Sequence, residues 1–118
     1  LPALWRAEKV QKKAAKVGFD WPDVSGAMEK VTEETAELSA AMAGDGDVTE
    51  ELGDLLFAVV NAARFLKVDP EDALHAAIDK FSARFRRVEE AAATQGRRME
   101  NMTLAEMDRL WDEVKHKA

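Results

Sequence analysis

An all-α fold, a bundle of about five helices, is what the 118-residue sequence predicts. Three observations carry that expectation. Long stretches rich in Ala, Glu, Lys, Leu and Arg repeat their apolar residues every 3.6 positions. Six of the nine glycines and prolines fall in the breaks between those stretches, at 18–22, 44–47, 68–70 and 94–101. Nowhere does the chain sustain the two-residue alternation of a half-buried strand.

The first helix is expected over 3–16. The second, over 22–43, carries the stripe Val24, Met28, Val31, Leu38 and Met42. The third is expected over 47–66, opened by Asp47 as cap with Glu50 three residues on. Around Leu52, Leu55, Leu56, Phe57, Val59, Val60, Phe65 and Leu66 it is apolar on nearly every side. Such a helix is expected to be buried all round, either centrally or across a subunit interface. The fourth, over 71–94, follows Asp69 and Pro70, which suit a first turn. Its stripe is Leu74, Ile78, Phe81, Phe85 and Val88. The fifth, over 103–116, starts at Thr103 with Glu106 three residues later, a capping box.

Length and composition point to one globular domain over 1–118. The net charge of −6 argues against indiscriminate attraction to nucleic acid or an anionic membrane, so neither partner is expected. A polyanionic ligand would need a local device, a divalent cation or a basic cluster. The chain has no cysteine, which rules out disulfides and thiolate metal sites. The longest charge-free run, 55–63, is half of a membrane span. Beginning with Leu1 rather than Met, the sequence suggests a domain cut from a longer, cytoplasmic protein with a second domain.

Two acidic pairs stand out. Glu34/Glu37 on the second helix and Glu51/Asp54 on the third each have the i, i+3 spacing that places both carboxylates on neighbouring turns. If the two helices are antiparallel neighbours, four carboxylates converge, and a hard cation such as Mg²⁺ or Mn²⁺ seeks that all-oxygen set. At about 100° per residue from Val31, Glu34 and Glu37 border the apolar stripe while Glu33 points away, a supporting position. Asp54 opens a charge-free run and is costly to desolvate without a compensating cation. The positions one turn after Glu37 and Asp54 are Ala41 and Ala58, so neither acid has a basic partner there. Spacing alone leaves open both a metal site and an acidic solvated face.

With its flanking segments the pattern is more specific. Glu33-Glu34-x-x-Glu37, thirteen residues, then Glu51-x-x-Asp54 resembles the signature of the all-α nucleoside triphosphate pyrophosphohydrolases. Gly18-Phe19-Asp20-Trp21-Pro22, the run 51–58, Lys80-Phe81-x-x-Arg84-Phe85 and the end 111–115 are similar to the MazG family, in its C-terminal, catalytic-type domain. The resemblance implies Mg²⁺-dependent hydrolysis of an NTP or dNTP to the monophosphate and pyrophosphate, with Glu34, Glu37, Glu51 and Asp54 holding the metal. It also implies Lys30 near the phosphates, and a four-helix-bundle core completed in a homodimer or dimer of dimers.

Lys80 and Arg84, i, i+4 on the fourth helix, read blandly as a solvated ridge, and Trp111, i, i+4 with Lys115 on the last helix, as a core anchor. Under the resemblance they become contacts to the nucleotide and its triphosphate. Asn61, a lone amide two turns after Asp54, either touches base or sugar or ties helices together. Trp5 and Trp21 read as packing residues, with contact to the base as the lesser alternative for Trp21. Two alternatives accompany this reading: a catalytically silent helical module for dimerisation, or a relative specific for dUTP, dCTP or phosphoribosyl-ATP.

Overall fold

A computed structural model describes residues 1–116, and among them all regular structure is helical. The five expected helices form: α1 (Ala3–Lys16), α2 (Val24–Met42), α3 (Val48–Phe65), α4 (Pro70–Thr94) and α5 (Leu104–His116). The break before α5 holds a short 3₁₀ turn, Met99–Asn101, that apolar periodicity does not signal.

Caps account for the boundaries. α2 starts at Val24 rather than 22 because the Asp23 carboxylate accepts the Ser25 N–H. Asp47 accepts the N–H groups of Thr49 and Glu50, and Asp69 those of Glu71 and Asp72. α1 stops where Gly18, at φ +88°, lets Gly18 N–H reach Ala15 O and Phe19 N–H reach Ala14 O.

Thr103 and Glu106 bond reciprocally, at 2.9 Å and 3.2 Å, as the capping box requires. Glu106 also pairs with Arg97. Chiefly that guanidinium, then the Thr103 bonds, hold its carboxyl down at about 2. A carboxyl lowered on folding stabilises above its unfolded range, and that contribution disappears as pH falls through the folded value. Glu106→Gln is therefore expected to lower the melting temperature at neutral pH. The gap from wild type should close as pH approaches 2, which paired thermal melts would record.

The chain divides into two units, 1–73 and 74 onward. In the first, α3 packs against both α2 and α1. Gln11 Nε2 on α1 donates to Phe57 O at 2.9 Å, and Trp5 Nε1 donates to Asp69 Oδ1 at 2.9 Å. In the second, Val88 and Ala92 of α4 form a core with Met102, Leu110 and Val114, and Trp111 packs beside it. Phe81 lies 5.2 Å from Trp111 and 6.1 Å from Phe85, between ring centres.

Three sequence expectations need correction. The buried line of α2 is Ala27, Glu34 and Ala41, with Met28 and Met42 exposed. Small residues permit the close approach of α3 there, so the large methionines point elsewhere. Of the two placements expected for α3, central burial does not hold in the single chain. Ala58, Val60 and Ala62 are buried, but Leu52, Leu56 and Val59, with the C-cap Leu66, stay 45–59% exposed along one stripe. On α4 only Val88 of the predicted stripe is buried, because the α5 core begins at that level.

Candidate metal centre

α2 and α3 are adjacent, and their acidic pairs meet. One carboxylate oxygen from each of Glu34, Glu51 and Asp54 lies within 4.8 Å of the other two. Opposite ligands of an octahedral Mg²⁺ sit about 4.2 Å apart, twice a bond of about 2.1 Å. Of three such ligands only one pair can be opposite and adjacent ones sit about 3.0 Å apart, so the side chains would draw together around such an ion. An all-carboxylate donor set is also the chemistry a hard divalent cation selects.

The three acids are not equivalent. Glu34 is 7% exposed, Glu51 half-buried and Asp54 exposed. Desolvation is therefore greatest at Glu34, not at Asp54 as the charge-free run suggested. The residues after Asp54 are apolar, but the first turn of α3 is open to water on that side. Lys30 offsets the buried charge, its Nζ lying 3.0 Å from Glu34 and 3.5 Å from Glu33. The bond to Glu34 is the main reason the Lys30 ammonium is held above its usual range. Partial burial raises Glu51 above the ordinary carboxylate range, reinforced by the charges of Asp54, Glu37, Glu34 and Glu50. The group thus carries more negative charge than Lys30 neutralises, and an added cation relieves it.

Glu37 is exposed and lies outside the 4.8 Å group, although its charge acts on Glu51. Glu33 is exposed and reaches Lys30. Asn61 faces Arg64, accepting from its Nε at 3.1 Å and Nη2 at 2.8 Å. Lys80, Arg84, Trp111 and Lys115 all belong to the second unit, with Arg84 and Trp111 half-buried and both lysines exposed.

Sequence reasoning missed a second polar system in the first unit. Arg64 pairs with Asp20 as well as Asn61, and its guanidinium carbon lies 4.7 Å above the Phe65 ring. That pairing is the main reason the Asp20 carboxyl is held below its ordinary range. Gln11 is the one buried residue of α1, a polar side chain turned inward. A signal for Arg64 was present, since it is the only charge in the second half of α3.

No described helix is long and apolar enough to cross a membrane. The MazG nucleotide pyrophosphohydrolase domain model matches residues 23–89, a span that contains all three converging acids. A Thermotoga maritima protein named nucleoside triphosphate pyrophosphohydrolase/pyrophosphatase MazG is 44% identical over 98% of this chain and 45% of its own length. An Escherichia coli K12 nucleoside triphosphate pyrophosphohydrolase is 44% identical over the same shares. The Bacillus subtilis protein YabN is 51% identical over 55% of this chain and 13% of its own. The chain spans a little under half the length of the first two. A match over more than half of the sequence, together with 44% identity along nearly all of it, places this chain in the MazG nucleotide pyrophosphohydrolase domain family.

Proposed function

We propose that this chain is a Mg²⁺-dependent nucleoside triphosphate pyrophosphohydrolase, releasing pyrophosphate and a (d)NMP by attack of water at the α-phosphorus. The convergence of Glu34, Glu51 and Asp54 in a MazG-family chain carries the reading. Relatives named for the activity match along 98% of the chain. Glu37 completes the metal set from the exposed edge, and Glu33 supports Lys30. Mg²⁺ held there would neutralise the triphosphate and favour water attack. The Lys30 ammonium beside Glu34 supports a role for it at the phosphate oxygens. Lys80, Arg84, Trp111 and Lys115 are assigned to the nucleotide through the family likeness. Residues 1–118 act as one domain, supported by a family match that runs across both units.

Incubation with Mg²⁺ and each common NTP and dNTP should yield pyrophosphate and monophosphate. Release of orthophosphate alone, or no turnover with any of them, would overturn the reading; a response to one pyrimidine dNTP only would define a specialised relative.

The functional form we propose is a homodimer, or a dimer of dimers. Its support is the apolar stripe of α3 at i, i+4, i+7 and i+14: Leu52, Leu56, Val59 and Leu66. So regular an exposed apolar row has the spacing of a helix–helix seam. Wild type is expected to sediment as a dimer or larger, and Leu56→Glu with Val59→Glu as a monomer. An unchanged sedimentation coefficient for the double variant would place the contact elsewhere.

A further inference from the structure

The ends of α1 and α3 line an open cleft of about 850 Å³, to which α1 brings Lys12 and Lys16 and the end of α3 brings Arg64 and Lys67. Its volume is that of a small-molecule site. Asp20 and Arg64 also border a smaller cavity of about 420 Å³, with Gln11, Asn61 and Trp21. Three observations give the larger cleft its chemistry.

The first is charge. Those four cations line the cleft with three acids, in a chain whose net charge is −6. Each acid is engaged: Glu8 with Lys12 at 3.0 Å, Asp20 with Arg64, and Asp69 with the Trp5 indole N–H and two backbone N–H groups of α4. Among the described residues the ammonium groups of Lys16 and Lys67 have no hydrogen-bond or ion-pair partner. Two like charges from different elements therefore line one cleft without a counter-ion of their own.

The second is the backbone. After α1, α2 and α4 the chain turns on a left-handed glycine: Gly18, Gly44 and Gly96, at φ +88°, +99° and +67°. α3 ends the same way, with Lys67 N–H reaching Arg64 O and Val68 N–H reaching Ala63 O. There the left-handed residue, at φ +61°, is a lysine. A side chain in that region costs conformational energy that glycine avoids, and a cost carried at a cleft points to a use for the side chain.

The third is the kind of donor left free. The guanidinium fork, which selects planar carboxylates, is committed to Asp20 and Asn61. What remains is two ammoniums, compact point charges that suit phosphoryl oxygens without demanding a fixed angle. The cleft is also remote from the acidic cluster. Phe65, on its wall, lies eleven residues beyond Asp54, about 16 Å along α3.

We propose that this cleft binds a diphosphate group, Lys16 taking one phosphoryl and Lys67 the other, with Lys12 as a third cation shared with Glu8. The site is separate from Glu34, Glu51 and Asp54 and needs neither metal nor turnover. It therefore goes beyond the hydrolase reading and stands or falls apart from it.

Metal-free protein at low salt, titrated with inorganic pyrophosphate, is expected to show saturable shifts of the Lys16, Lys67 and Val68 backbone amide resonances. Those shifts should need more pyrophosphate as sodium chloride is raised. Lys67→Gly should weaken binding by about tenfold, the loss of one charge-assisted hydrogen bond, and raise the melting temperature by removing the left-handed strain. Lys67→Ala should lose the same affinity without gaining stability, and Lys67→Arg should keep most of the affinity. No saturable shift, wild-type affinity in Lys67→Gly, or shifts confined to the surroundings of Lys30, Lys80 and Arg84 would each overturn the site. Adenosine diphosphate distinguishes the two sources of such a group. Shifts at Lys67 equal to those from pyrophosphate support a nucleotide's diphosphate, and shifts from pyrophosphate alone support the free anion.

Discussion

Asp54→Asn is expected to cut pyrophosphate release by about 10²–10³-fold or more while leaving the metal-free fold as stable as wild type, or slightly more so. The two effects have opposite signs for a physical reason. Asp54 is exposed and contributes little packing, so an isosteric amide costs almost nothing structurally. Its charge, however, is the largest electrostatic contribution raising Glu51, after partial burial. A carboxyl raised on folding stabilises only below its unfolded range and penalises the fold once pH rises through the folded value. Removing the neighbouring charge lessens that penalty above the ordinary carboxylate range. The same charge is what a divalent cation would use. Thermal melts should therefore show a melting temperature at or above wild type without metal, and a smaller increase on adding Mg²⁺ with nucleotide. Retained activity, or a marked fall in the metal-free melting temperature, would remove Asp54 from the proposed set.

Arg64→Ala is expected to have the largest effect on stability, lowering the melting temperature by about 10 °C, or about 2 kcal/mol. Three interactions end together: the pairing with Asp20, the two bonds to Asn61 and the stacking over Phe65. The ion-pair groups are 14% and 22% exposed, so solvent screening keeps the cost below that of a fully buried pair. Asn61 would also lose the partners of its carbonyl. Arg64→Lys should recover less than half of the loss, because an ammonium cannot span Asp20 and Asn61 as the planar fork does. The Asp20 carboxyl is lowered on folding, so its contribution is present above the ordinary carboxylate range. The difference between Arg64→Ala and wild type should narrow as pH falls below that range, which melts along a pH series would test.

Local chemistry made the helices legible. Asp47, Asp69 and the Thr103–Glu106 box work within three residues of the ends they define, and Gly18 acts through its own backbone angle. Such signals need no knowledge of what packs where. The four acids could be picked out for a similar reason, since i, i+3 spacing places Glu34 beside Glu37 and Glu51 beside Asp54 in any helix. Periodicity failed where it took the largest apolar residues for the buried ones. On α2 the inward line is Ala27, Glu34 and Ala41, because a close helix crossing selects small side chains over methionine.

What the sequence determined by itself was therefore an all-α chain, five helices with their ends, and a set of acids able to face one another. Which acids converge, and at what cost, was a tertiary decision. The α2–α3 crossing buries Glu34, already beside Lys30 on α2, leaves Asp54 in water and leaves Glu37 at the margin. The cavity of Gln11, Asn61 and Trp21 was likewise decided in space, since its members come from α1, α3 and the intervening loop. A helical phase says which residues share a face, but only the packed neighbour decides whether that face meets water, a cation or another side chain.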